Sequence, residues 1–265
     1  MSHIIPLFAI CVGKKFCDII YPEMHRLLVD TQTLSSPSPM LPAEARRHLK
    51  VVRLKQGEQV ELFDGQGRWR VFSMTDGTLA PSGEMQSAAR RRDLVLFACV
   101  TKGSRWDWTI EKATELGVTR IVPVISDRTI VRIAADEREA KRARWLRIAE
   151  DAARQSDAKW LPEIMAAVDF AEAVKIAASL DCYVGALTPE RPQDLLSALE
   201  TGRAHRSGRA LAVFVGPEGD FTPEELASLL EVATPVSFGA TILRAETAAI
   251  YGVGVLKAWM DGHEV

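Results

Sequence analysis

The sequence predicts an α/β protein in which a small β-rich unit precedes a larger, mostly parallel sheet. Three observations carry this expectation. From Leu94 onward, short apolar runs alternate with helical patterns, as they do in βαβ units. Between 30 and 92 the apolar runs are short and separated by turn formers. A length of 265 residues, 47% hydrophobic and 26% charged, suits one to two globular domains and excludes disordered, collagen-like and disulfide-scaffold chains.

Met24–Val29 reads as the natural start of a first strand. Residues 1–23 fit poorly with the pattern downstream of them and are expected to be an extension arising from an early assigned start codon. Ser35-Ser36-Pro37-Ser38-Pro39 is a loop. Ala43–Arg53 reads as a short helix on which Arg46, Arg47, Lys50 and Arg53 cluster, fitting either a solvated face or a bed for RNA phosphates. Val60–Phe63 and Arg68–Phe72 flank Asp64-Gly65 as a β-hairpin, and Asp76-Gly77 repeats the signal, so a small barrel is expected here.

After Arg90-Arg91-Arg92-Asp93 the pattern changes. Leu94–Val100 is a fully apolar strand. Ser104 is the expected N-cap of a helix that Gly117 stops after Leu116. Ile121–Ile125 is the next strand, 136–155 a long helix, and Asp169 with Glu172 opens another helix. Cys182–Leu187 and Leu211–Val215 read as strands. Thr222-Pro223-Glu224-Glu225 combines an N-cap Thr, Pro at the first helical position and Glu three after the cap. Val236–Phe238 is a last short strand and 245–260 a C-terminal helix.

Charge and special residues narrow the function classes. The net charge of −2 hides an asymmetry: residues 1–92 carry 13 Lys+Arg against 9 Asp+Glu, and residues 161–265 carry 7 against 15. A basic front and acidic back suit a chain that turns one face to a polyanion, although statistical scatter yields the same pattern. The longest apolar runs fall far short of the ~20 residues that span a bilayer, so a cytoplasmic chain with no membrane partner is expected. Cys11, Cys17, Cys99 and Cys182 form no C-x-x-C pair, and the five histidines show no ligand spacing. Buried thiols and no metal site are the expectation.

Ligands of open α/β sheets bind beyond the carboxyl ends of the strands. Three such ends carry unusual loops: Gly185–Pro189, Gly216–Phe221 and Gly239–Thr247. A P-loop and a nucleophile elbow are both missing, and Gly252-Val253-Gly254 lies inside a helix, which weakens a dinucleotide oxidoreductase.

Gly216-Pro217-Glu218-Gly219, together with Ile242-Leu243-Arg244-Ala245-Glu246-Thr247-Ala248, resembles the two hallmark loops of the 16S ribosomal RNA (uracil-N3) methyltransferases. These belong to the SPOUT superfamily of knotted methyltransferases. Lys112–Val118 (KATELGV), Ser126-Asp127-Arg128-Thr129, Ala153-Arg154-Gln155-Ser156, and His48–Leu54 with Asp64-Gly65 resemble further motifs of that family, so the likeness runs from about residue 24 to 260. The chain departs at Asp220, where the family usually repeats Gly, and at Phe238 and Thr241, which replace a Leu and a basic residue.

The resemblance implies a PUA-like β-barrel over 24–92 and a trefoil-knotted SPOUT methyltransferase domain over 93–265. It implies S-adenosylmethionine as cofactor, contacted by Leu187, Val215, Gly216, Pro217, Glu218, Gly219, Phe238, Gly239, Ile242, Leu243, Ala245 and Thr247. Arg244 and Glu246 are the expected catalytic pair, and Arg46, Arg47, Arg53, Lys102, Arg128 and Gln155 the expected RNA contacts. The implied partners are 16S rRNA or the 30S subunit and a second copy of the chain, since SPOUT relatives are homodimers. Two rivals stay open: a SPOUT methyltransferase acting on another position, such as a ribose 2′-hydroxyl, and a non-catalytic RNA-binding knot protein.

Overall fold

The computed structural model describes residues 24–186, 192–202 and 208–263. The proposed extension 1–23, Cys11, Cys17 and Leu187 therefore lie outside the described residues. The chain divides into two compact units: one holds the residues up to Asp64 and Arg68–Ser87, the other Gly65–Gly67 and everything from Ala88.

In the first unit, β1 (His25–Leu28) runs parallel to β2 (Gln59–Phe63). The antiparallel partner of β2 is β3 (Arg68–Thr75), which pairs in turn with β4 (Thr78–Pro81) and β5 (Gln86–Ser87). Asp76 and Gly77, both at positive φ (50° and 75°), form the expected two-residue turn between β3 and β4. The Asp64-Gly65 signal marks a longer, four-residue connection, because Gln66 and Gly67 also stand outside the strands. No described pair joins β4 back to β1, so the strands form a five-stranded sheet. Its core packs Leu27, Val60, Leu62 and Phe72 against Leu34 of α1 (Thr31–Ser35) and Ala45 of α2 (Ala43–Val52). Sequence reading missed α1, whose five residues are too few for periodicity; Asp30 caps it by accepting the Thr33 amide at 2.8 Å.

The second unit is a seven-stranded sheet in which every described pair is parallel. Its order is β12 (Ala233–Val236), β10 (Asp181–Gly185), β11 (Leu211–Val215), β6 (Leu94–Cys99), β7 (Arg120–Ile125), β8 (Glu163–Ile164), with β9 (Val168–Asp169) also on β7. The apolar run of β6 is explained by burial on both faces. Leu94, Leu96 and Ala98 join one core, while Val95, Phe97 and Cys99 join the other, as strand alternation requires. The first core is covered by α3 (Ser104–Glu115), α4 (Arg138–Ser156), α6 (Leu195–Thr201) and α8 (Ala245–His263). The second is covered by α5 (Phe170–Ala177) and α7 (Pro223–Leu230).

Local signals were followed to different degrees. Thr222 and Glu225 form the expected capping box on α7. Ser104 is already helical and Gly103 takes the cap position of α3 with no side-chain bond, so the expected Ser cap is corrected. The last strand ends at Val236 rather than running to Phe238, because Ser237 turns to donate its amide to Gln193 O at 2.9 Å. Burial pushes the Cys99 and Cys182 thiols up to about 12, so both stay protonated and unreactive at neutral pH.

The second core is built on aromatic rings. Phe214 is fully buried, stacks on Phe97 at 5.1 Å and meets Phe221 and Phe170 at 5.7 and 5.9 Å. Phe214→Ala is expected to destabilise the chain by about 3–5 kcal/mol, read as a drop in the denaturant midpoint with little change in slope.

Candidate functional site

Because the strands are parallel, their carboxyl ends share one edge of the sheet, and the loops leaving them must gather there. A cavity of about 370 Å³ opens at that edge. Gly185 and Ala186 after β10 line it, as do Val215, Gly216, Pro217 and Glu218 around the end of β11. Phe238, Gly239, Ile242 and Leu243 after β12 complete its far wall, with Arg244 and Ala245 where α8 begins. Three of the unusual loops therefore meet around one space. Val236, Ser237 and Ala248 also line it, outside the loops read from sequence, as do Asp220 and Thr241, which lie in those loops but were not among the expected cofactor contacts.

Close approach sets the wall. A Cβ on Gly185 would lie 2.3 Å from the Phe238 ring, so that ring packs against the end of β10 only because position 185 has no side chain. Tyr251 of α8 packs against the same ring, centroids 5.6 Å apart.

The Gly216–Phe221 loop is held from outside the cavity. Arg105, in the first turn of α3, pairs with Glu218 at 3.1 Å. Arg128 donates from Nη1 to the carbonyls of Gly219 and Phe221 at 2.9 and 3.2 Å. The Ser126–Thr129 turn is closed by a Ser126 amide bond to Thr129 Oγ1 at 3.0 Å, and the Asp127 amide donates to Glu225 Oε1 at 2.9 Å. The other oxygen of Glu225 accepts the Thr222 amide at 3.0 Å. One buried carboxylate thus ties the loop after β7 to the start of α7. Glu225→Ala leaves two amides without these partners and is expected to cost about 2 kcal/mol, measured by thermal unfolding.

The remaining expected site residues fall in several places. Glu246 does not line the cavity; it sits in the first turn of α8, 9% exposed, and its Oε2 is buried with no hydrogen-bond partner. Gly219 packs on the Arg128 side chain, and Thr247 faces an apolar groove with Trp108. Lys102 is exposed in the loop after β6, on the same edge as the cavity. Gln155 is exposed in the last turn of α4, which leads into β8 and so lies at the amino ends of the strands, away from the cavity. Arg46 and Arg47 are exposed on α2 and Arg53 caps it in the left-handed region, all in the first unit. Arg105 escaped sequence reading, and Glu225 was read only as part of a helix start; their contacts across the fold single them out.

Comparison with known proteins sets this site in context. An RNA methyltransferase domain family matches residues 89–257, and an RNA methyltransferase PUA domain family matches residues 41–77. Ribosomal RNA small subunit methyltransferase E of Bacillus subtilis is 31% identical, covering 87% of this chain and 93% of that protein. The protein of the same name from Synechocystis is 26% identical, covering 89% of this chain and 78% of that one. A crystal structure of the Neisseria gonorrhoeae ribosomal RNA small subunit methyltransferase E bound to S-adenosylmethionine superposes with a TM-score of 0.74 at 28% identity, covering 89% and 98% of the two chains. With a PUA-like unit in front of a methyltransferase sheet, the chain is an enzyme of the ribosomal RNA small subunit methyltransferase E family.

Proposed function

We propose that this chain methylates N3 of a uridine in 16S rRNA, using S-adenosylmethionine held in the cavity at the tips of β10, β11 and β12. The observation that carries the reading is the convergence of those three loops on one cavity beside Arg244 and the start of α8. The residues present fit the cofactor. A space of about 370 Å³ suits a nucleoside-sized ligand, and its walls combine apolar side chains with backbone at Gly185, Gly216 and Gly239. When bound, S-adenosylmethionine supplies a methyl group already activated on a sulfonium sulfur.

The chain's own residues do the rest. N3 lies on the Watson–Crick edge of uracil, so the base enters the site unpaired. Arg244 is exposed at the rim and donates hydrogen bonds to a uracil carbonyl oxygen. Glu246, two residues on in the first turn of α8, is the group this reading assigns to take the N3 proton; its Oε2 lies buried without a partner just outside the cavity lining. Lys102 on the cavity edge, with Arg46, Arg47 and Arg53 on the first unit, binds phosphates, while Arg128 acts through the loop it holds.

α8 lies directly on β11, where a Cβ on Gly252 would come within 2.8 Å of Val213, while α6 packs against the same helix. These contacts suit the trefoil knot, a rare topology, that this reading assigns to the C-terminal unit. Trp108, Ile250, Tyr251, Gly254 and Val255 line an open apolar groove of about 440 Å³ that a second copy covers in a homodimer. Among the described residues no helix is long and apolar enough to cross a membrane, and an rRNA substrate puts the enzyme in the cytoplasm.

The test is methylation of 30S particles and of naked 16S rRNA with labelled S-adenosylmethionine, followed by nucleoside mass spectrometry. 3-Methyluridine at one position is the expected product. A ribose-methylated nucleoside favours the 2′-hydroxyl reading, and no incorporation into either RNA overturns the activity.

A further inference from the structure

We propose that Asp220 selects the charged methyl donor over its neutral, demethylated product. The inference rests on S-adenosylmethionine as the cavity's ligand. Two carboxylates line this cavity, Glu218 and Asp220. Glu218 is neutralised by Arg105 at 3.1 Å. Asp220 has no ion-pair partner among the described residues; its Oδ1 accepts only the amide of Phe221, at 2.8 Å. The nearby guanidinium of Arg128 is engaged with the carbonyls of Gly219 and Phe221, on either side of Asp220. Arg244 lines the same cavity without pairing to Asp220. Asp220 is therefore the carboxylate of the lining that no described cation pairs with directly.

The backbone at this position would be easier with glycine. Asp220 sits at φ 61°, in the left-handed region, and closes a turn by donating its amide to Pro217 O at 3.0 Å. A side chain kept at a position glycine would relax calls for a functional explanation. The ligand's chemistry supplies one. The donor carries a sulfonium cation, whereas S-adenosylhomocysteine carries a neutral thioether in its place; the amino-acid and nucleoside parts are the same in both. A carboxylate on the cavity wall favours the first over the second. Asp220 is thus a specificity-determining residue that limits product inhibition.

Calorimetry on the full chain tests this with three probes: S-adenosylmethionine, S-adenosylhomocysteine, and sinefungin, which places a protonated amine where the sulfonium stands. Asp220→Asn keeps the shape and removes the charge; Asp220→Gly relaxes the backbone and guards against a folding artefact. Both variants are expected to bind S-adenosylmethionine and sinefungin about tenfold more weakly, with the affinity for S-adenosylhomocysteine changed less than about twofold. A parallel loss for all three probes, or no loss for any, overturns the role of Asp220. A wild-type chain that binds none of the three overturns the cofactor reading itself, and the proposal with it.

Discussion

Glu246→Gln is expected to lower kcat for RNA methylation about 100- to 1000-fold while leaving the affinity for S-adenosylmethionine within about twofold of wild type. The reasoning starts from an imbalance. A carboxylate oxygen buried without a partner costs stability, and most buried polar groups avoid that state. The first turn of α8 offsets part of the cost, since the helix N-terminus favours negative charge. In the proposed mechanism, the rest is the cost of keeping that oxygen free to take a proton from substrate. Glutamine fills the same volume and still accepts a hydrogen bond, but it is not a base at neutral pH. The melting temperature of the variant is therefore expected to stay level or rise, as it does when a catalytic group held at a cost to stability is replaced. Single-turnover kinetics and calorimetry on the same preparation separate the two effects. Near-normal turnover would remove Glu246 from the chemistry.

Gly185→Ala is expected to have the second largest effect, acting through packing instead of charge. The new Cβ would fall 2.3 Å from the Phe238 ring, far inside contact distance. The ring must move, and Tyr251, packed against it with ring centroids 5.6 Å apart, limits where it can go. Overpacking of this kind costs about 1–3 kcal/mol. It also displaces a wall of the cavity, so the donor affinity is expected to fall at least about tenfold, seen by calorimetry. Phe238→Leu in the Gly185→Ala background shortens the ring side chain and is expected to restore most of the lost stability. If it restores none, the clash is not the cause.

How much the chain reveals depends on how local each signal is. β6 was legible because burial on both faces forces six consecutive apolar residues, and the start of α7 because its cap, proline and glutamate lie within four positions. β8 and β9 were not legible: two residues each carry no period, and they exist only because β7 offers them a neighbour. The loops of the site were marked by glycines and by a family likeness, yet their convergence depends on strand order, which periodicity does not encode. Arg105 looks like an ordinary helix-surface charge in sequence, and Glu225 reads there only as a cap residue. Their partners stand more than 90 positions away, at Glu218 and at Asp127. Arg128 was expected to contact RNA, and nothing in the sequence signals that its Nη1 also donates to two backbone carbonyls of the loop it supports.

The most direct test of the central claim is a crystal structure of the chain grown with S-adenosylmethionine. The expected result is the ligand folded between the ends of β10, β11 and β12, its methyl group toward Arg244 and the start of α8. A donor bound anywhere else on the chain, with the cavity between Gly216 and Phe238 left empty, would contradict it.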